Sequence, residues 1–132
     1  MTRSPPDKTN LRTTAVQDEV HGRIRALTIH VPGREVRTIP LERGKSYTLG
    51  RNDTSDIVLE NTYVSGRHAI LTVGEPATLV DLGSRNLTYV DGQRLSPQSP
   101  CPLRVGSVIS MGPVALFVSQ EVLSSGVRPV LD

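Results

Sequence analysis

Leu27-Thr28-Ile29-His30-Val31-Pro32-Gly33 places apolar residues at 27, 29 and 31 and polar ones between them, then stops the run with a proline and a glycine. A period of two is that of a strand with one face on a core, and Pro-Gly is a turn signal. The same unit recurs outward along the chain. Val36 to Pro40 forms a second run, closed by Glu42-Arg43-Gly44. Further runs cover Ser46 to Gly50, Asp56 to Leu59, His68 to Val73, Ala77 to Leu82, Thr88 to Val90, Gln93 to Leu95, Pro100 to Leu103, Ser107 to Met111 and Val114 to Ser119. Asp91-Gly92, between two of them, is a strong signal for a two-residue type I′ hairpin. About eleven short strands joined by hairpin-like links predict an all-β fold, a two-sheet antiparallel β-sandwich with function carried on loops at one end.

The rest of the composition agrees. A chain of 132 residues is one domain's length. Eleven glycines and ten prolines are dispersed along it, leaving few stretches long enough for a three-turn helix. Residues 1–23 are polar with no sustained period and are expected to be a flexible N-terminal arm; 24–119 form the domain; 120–132 read as a C-terminal tail or linker. Aromatic residues make up only 3% of the chain, so the core is expected to be aliphatic, and platforms for stacking unpaired bases are nearly lacking. The net charge is +2 and the arginines scatter from Arg3 to Arg128 without forming a basic stripe, so no nucleic-acid partner is expected. Nor does any segment have the apolar length of a signal peptide or a membrane span. The single cysteine, Cys101, excludes an intrachain disulfide and any zinc site built on several cysteines, and fits a reducing, cytoplasmic setting.

Three loops hold residues that turns alone do not require. In Gly50-Arg51-Asn52-Asp53-Thr54-Ser55-Asp56-Ile57 an arginine directly follows a strand-ending glycine. Arg51 there is either a solvated charge or an anion ligand. Val64-Ser65-Gly66-Arg67-His68-Ala69 sets a hydroxyl, a guanidinium and an imidazole within four positions, with His68 readable equally as a structural or a functional histidine. Asp81-Leu82-Gly83-Ser84-Arg85-Asn86-Leu87-Thr88-Tyr89-Val90-Asp91-Gly92 is an ordinary turn or a third binding loop.

Taken together and in order, these loops resemble those of a forkhead-associated (FHA) domain, over about residues 25 to 119. The matching pieces are Gly-Arg followed by Ser-Asp-Ile, Val-Ser-x-x-His, Asp-Leu-Gly-Ser-x-Asn-x-Thr-x-Val-x-Gly, and closing strands around Gly106 and Gly112. The resemblance implies an eleven-stranded sandwich that binds phosphothreonine peptides as a signalling module. It implies that Arg51 and Ser65 hold the phosphate, that the Gly66 amide or Arg67 adds a donor, and that Asn86 bonds the peptide main chain. Arg85 then supplements the charge facing the phosphate or an acidic residue beyond it. Gly50, His68 and Thr88 are implied as supports of the binding loops. The chemistry is apt, because a phosphothreonine is close to a dianion with three strong acceptors, and a guanidinium offers a planar fork of donors. The departure is Leu87, where the family has glycine: a positive φ there would strain a leucine and displace Asn86.

The implied partner is a phosphothreonine-containing kinase or kinase substrate. Thr9, Thr13 and Thr14, near Asp18 and Glu19, also make the chain's own phosphorylated arm a candidate ligand. Two alternatives stay open: a phosphate-independent interaction scaffold of the same fold, and the FHA module of a larger transcription or secretion regulator. Catalysis is not expected. Ser65, His68 and Asp81 can be written as a triad, but Ser65 lacks the Gly-x-Ser-x-Gly elbow. His21, His30 and His68 have no metal-ligand spacing, and no Gly-rich nucleotide loop is present, so no cofactor is implied.

Overall fold

A computed structural model describes residues 23–120. The expected arm and tail lie outside the described residues, except for Arg23 and Gln120. Eleven strands follow in chain order: β1 (Ala26–His30), β2 (Arg37–Pro40), β3 (Ser46–Gly50), β4 (Ile57–Val58), β5 (Ala69–Thr72), β6 (Thr78–Asp81), β7 (Tyr89–Val90), β8 (Gln93–Arg94), β9 (Cys101–Pro102), β10 (Val108–Met111) and β11 (Val114–Ser119). They form two sheets, one of order β2-β1-β11-β10-β7-β8 and the other β4-β3-β5-β6-β9.

Alternation decides what each strand buries. On β1, Leu27 and Ile29 point into the sandwich while Thr28 and His30 face outward; on β11, Val114, Leu116 and Val118 are buried and Phe117 is exposed. Leu49, Leu71 and Leu79 from the second sheet meet Leu27, Ile29, Ile109, Met111 and Leu116 from the first. The core is therefore aliphatic, as the scarcity of aromatics predicts. Asp91 and Gly92 both hold positive φ, +51° and +85°, between the paired Val90 and Gln93, which is the type I′ hairpin.

One pairing departs from the antiparallel expectation. β4 runs parallel to β3, with Leu49 opposite Ile57 and Gly50 opposite Val58. Asp56 is the cause. Its carboxylate accepts from the Thr48 amide at 2.9 Å and the Thr48 hydroxyl at 3.1 Å, and its own amide donates to the Thr48 Oγ1 at 2.8 Å. The chain is thus drawn back to the level of Thr48 before β4 starts, and sets off again in the direction of β3.

The register also puts the three loops at one end. Leu49 pairs with Ala69, and Ala69 with Asp81, so β3, β5 and β6 come abreast where the segments 51–56, 59–68 and 82–88 leave the sheet. β5 and β6 are each shorter than their apolar runs; the flanking residues continue the backbone pairing beyond the strand bounds, with the His68 amide donating to the Leu49 carbonyl at 2.8 Å, the Val73 amide to the Lys45 carbonyl at 2.9 Å and the Leu82 amide to the His68 carbonyl at 3.0 Å.

Candidate functional site

Two glycines bring the first two loops into backbone contact. A Cβ built on Gly50 would lie 2.0 Å from the Gly66 carbonyl oxygen, and one on Gly66 would lie 2.8 Å from Asn52 Oδ1. At Gly50 the obstacle is backbone, so only a glycine fits there, whereas at Gly66 it is the exposed Asn52 side chain. The Arg51 amide then donates to the Ser65 carbonyl at 2.9 Å, and the Asn52 amide to the Gly66 carbonyl at 3.2 Å. Arg51 is exposed, and its one side-chain hydrogen bond among the described residues runs from Nη1 to the Thr62 carbonyl at 3.5 Å. So long a contact leaves most of the guanidinium's donors free.

Ser65 is the meeting point of all three loops. Its hydroxyl accepts the Arg85 amide proton at 3.0 Å, and a hydroxyl that accepts one bond still has its own proton to give. Behind it, His68 is fully buried. The Ser65 amide donates to His68 Nδ1 at 3.0 Å, which leaves the ring proton on Nε2, facing the Leu87 carbonyl at 3.0 Å. One neutral imidazole therefore ties the second loop to the third. Burial pushes its pKa below the ordinary value, against the upward pull of the Leu87 carbonyl and of Asp81.

The third loop is wound on Asp81. This buried carboxylate accepts from the Gly83 amide at 2.9 Å, the Ser84 amide at 3.0 Å, the Ser84 hydroxyl at 2.5 Å and the Thr88 hydroxyl at 2.6 Å. Burial alone would raise its pKa, but the hydrogen bonds from Ser84, Thr88 and Gly83 more than offset that and hold it below the usual value. Leu87 does adopt positive φ, +71°. Asn86 is nonetheless held, its Nδ2 donating to the Tyr63 carbonyl at 3.0 Å. Tyr63 in turn stacks its Cβ and ring on Gly112, where a Cβ would come within 2.5 Å.

Arg51, Ser65, Gly66, Arg67, Arg85 and Asn86 thus lie on adjoining loops at one end, with Gly50, His68 and Thr88 packed behind them. The side chains of Arg67 and Arg85 are exposed, and neither makes an ion pair or hydrogen bond among the described residues. Ser65, His68 and Asp81 do not form a relay: the Ser65 amide, not its hydroxyl, meets the ring, and Asp81 lies 4.0 Å from Nε2 with its oxygens taken by Ser84 and Thr88. The motif reading assigns no role to Tyr63, Asn52 or Ser84. Ser84 was signalled by its place three residues after an aspartate in a glycine turn, whereas nothing local marks Tyr63 or Asn52.

Comparison with known proteins follows the same lines. The chain is 36% identical over 69 residues to the FHA domain-containing protein FhaB of Mycobacterium tuberculosis, a match spanning 52% of this chain and 43% of that protein. The chain spans less than half the length of each of the curated relatives it matches. Among solved structures, one described in a structural and functional analysis of phosphothreonine-dependent FHA domain interactions is 30% identical, with a TM-score of 0.61, over 73% of this chain and 97% of that one. The FHA domain of the CT664 protein from Chlamydia trachomatis shares the fold at a TM-score of 0.68 and 24% identity, covering 74% of this chain and 98% of that one. The sequence pattern of the FHA domain matches residues 47–112, which run from β3 through all three loops to the Gly112 turn. By fold, loop order and sequence pattern alike, this chain belongs to the FHA domain family.

Proposed function

We propose that this domain binds protein segments carrying phosphothreonine, with the Arg51 guanidinium and the Ser65 hydroxyl on the phosphate and the Gly66 amide, Arg67, Arg85 and Asn86 completing the contact. The observation that carries this reading is the convergence on Ser65. Its carbonyl takes the Arg51 amide and its hydroxyl takes the Arg85 amide, so the residue with a donor hydroxyl is tied through its backbone to one whose guanidinium makes a single long hydrogen bond among the described residues. A phosphate-independent surface has no chemical need for that pair. A dianion does, because charge-assisted bonds to a planar fork are short, strong and directional. Family membership supports the reading, and an FHA domain of Rad53p from S. cerevisiae has been solved with a phosphothreonine peptide. The domain acts by binding and not by catalysis. No helix among the described residues is long and apolar enough to cross a membrane. A cytoplasmic phosphoprotein, a kinase or its substrate, is the partner class that fits.

The test is a titration of one peptide in threonine, phosphothreonine and phosphoserine forms against the parent chain and Arg51→Ala. Binding should require both the phosphate and Arg51, with phosphothreonine ahead of phosphoserine. Equal affinity for the unmodified peptide, undiminished in Arg51→Ala, would leave a phosphate-independent scaffold as the better account.

A further inference from the structure

The pairing register fixes which side chains share the outer face of the six-stranded sheet. Thr38, Thr28, Phe117 and Val108 lie opposite one another in one row across β2, β1, β11 and β10. His30, Ala115, Ser110 and Tyr89 form the next row, across β1, β11, β10 and β7. On their strands these residues alternate with the buried Leu27, Ile29, Ile109 and Leu116, and the Thr28 and Thr38 hydroxyls bond to each other at 3.0 Å. Continued two residues beyond Thr38, the β1–β2 register sets Val36 level with His30. Phe117 is 41% exposed and Val36 56%; among the described residues the only other large apolar side chain so open is Tyr63, at the binding loops.

Neither row holds an Asp, Glu, Lys or Arg from β2 to β7. Arg94 comes only past the end of the second row, opposite Tyr89 on β8, and the Asp91 carboxylate, at the end of the first, accepts from the Val108 amide at 2.9 Å. A sheet face left to water is ordinarily polar, and an apolar patch on it marks an interaction site. A face for a different protein gains selectivity from charges that complement that protein. A face for its own copy is under the opposite constraint, because a two-fold axis sets the residues beside it against themselves, and any charge there meets its like. We propose that this uncharged face pairs with the same face of a second copy of the chain, about a two-fold axis running along β11. β11 is the middle one of the five strands from β2 to β7, so the axis sets Phe117 and Ala115 each against its own counterpart. Thr28 then meets Val108, His30 meets Ser110, and Val36 meets Tyr89. None of these contacts is between charges. The axis keeps the strands of the two copies running the same way, so both sets of binding loops open at the same end of the dimer. The pairing does not depend on what those loops bind. Strand spacings of about 4.8 Å make the patch roughly 19 Å wide and its rows about 7 Å apart, on the order of 300 Å² in all, against about 800 Å² from each partner of a stable complex. The dimer is therefore weak and dependent on concentration.

Sedimentation equilibrium of the full chain between about 10 μM and 1 mM reads the association, and the mean mass should rise from one chain toward two. Phe117→Asp and Phe117→Lys should each stay at the mass of one chain over that range. An equimolar mixture of the two should associate again, since only there do opposite charges meet across the axis. Val36→Asp, outside the strands, tests the same face should the Phe117 variants fail to fold, and should weaken association at least about fivefold by placing a charge against Tyr89. A parent that keeps the mass of one chain at every concentration overturns the proposal, and is what a face covered by a different protein or by another segment of this chain would give. A dimer that Phe117→Asp and Val36→Asp leave intact overturns it too. So does a mixture of folded Phe117→Asp and Phe117→Lys chains that stays monomeric while the parent associates.

Discussion

Leu87 occupies a backbone position that favours glycine, with φ at +71°, and from there its carbonyl accepts the His68 Nε2 proton. A residue with a Cβ pays on the order of 1 to 2 kcal/mol in the left-handed region, and β-branched residues fare worst there. Leu87→Gly relieves that strain but gives up a half-buried side chain and loosens the unfolded chain. We expect it to alter stability by no more than about 1 kcal/mol, whereas Leu87→Ile should lose more than that in urea unfolding. An isoleucine variant as stable as the parent would mean that the left-handed conformation is not held in solution. At the proposed phosphate ligands the effects belong to binding. Arg51→Ala should cost roughly 2 to 5 kcal/mol of phosphopeptide affinity, and Arg51→Lys should also be impaired because an ammonium has no fork. Ser65→Ala should lose less, on the order of 1.5 to 3 kcal/mol, the worth of one hydrogen bond to a charged group.

The segment from β6 to β7 does two tasks at once: it crosses from one sheet to the other, and it presents Arg85 and Asn86. Asp81 organises the crossing, with Thr88 as the far clamp at 2.6 Å. Thr88→Val keeps the shape but removes that buried, charge-assisted bond, and should cost about 1.5 to 3 kcal/mol of stability. Peptide affinity should fall with it, since Asn86 lies between the two clamped ends. The β7–β8 hairpin offers the contrast. Gly92 holds φ at +85° on the turn away from the site, so Gly92→Ala should cost about 1 to 2 kcal/mol of stability while the folded protein binds as before. Calorimetric titration of both variants well below their unfolding temperatures separates the two effects. Equal loss of binding in both would mean that the crossing segment responds only to global stability.

At the scale of the whole molecule, the groups that join the loops also set how the fold meets acid. His68 and Asp81 both have pKa values below their ordinary ones. The unfolded chain takes up a proton on His68 near its ordinary value of 6.5, while the folded chain still keeps the ring neutral. The unfolded state then binds more protons, so stability present above that pH is lost as the pH falls below it. Asp81 adds a second loss below its ordinary value of 3.8, by the same sign. Urea midpoints measured without ligand should therefore drop between about pH 7 and pH 5, and His68→Gln, though less stable throughout, should show a flatter profile over that range. A parent profile that is flat there would mean that His68 is not held neutral in the fold.

What the sequence by itself determined is what neighbours along the chain can encode. The period of two and the turn residues located eleven strands, among them β3 and β11 with both bounds, and the Asp91-Gly92 hairpin followed from φ preferences alone. The order of the three loops was also legible, through their joint resemblance to the FHA pattern, since Arg51, Ser65 and Asn86 taken one at a time read equally as surface or turn residues. What only the tertiary structure decided lies between residues far apart in the chain. The parallel start of β4 depends on Asp56 reaching back to Thr48, and the site itself depends on Gly50 meeting Gly66. The Ser65 hydroxyl takes the Arg85 amide across 20 positions, and Asn86 takes the Tyr63 carbonyl across 23. No local pattern specifies those contacts, since they exist only once the register of Leu49, Ala69 and Asp81 has set the three loops side by side.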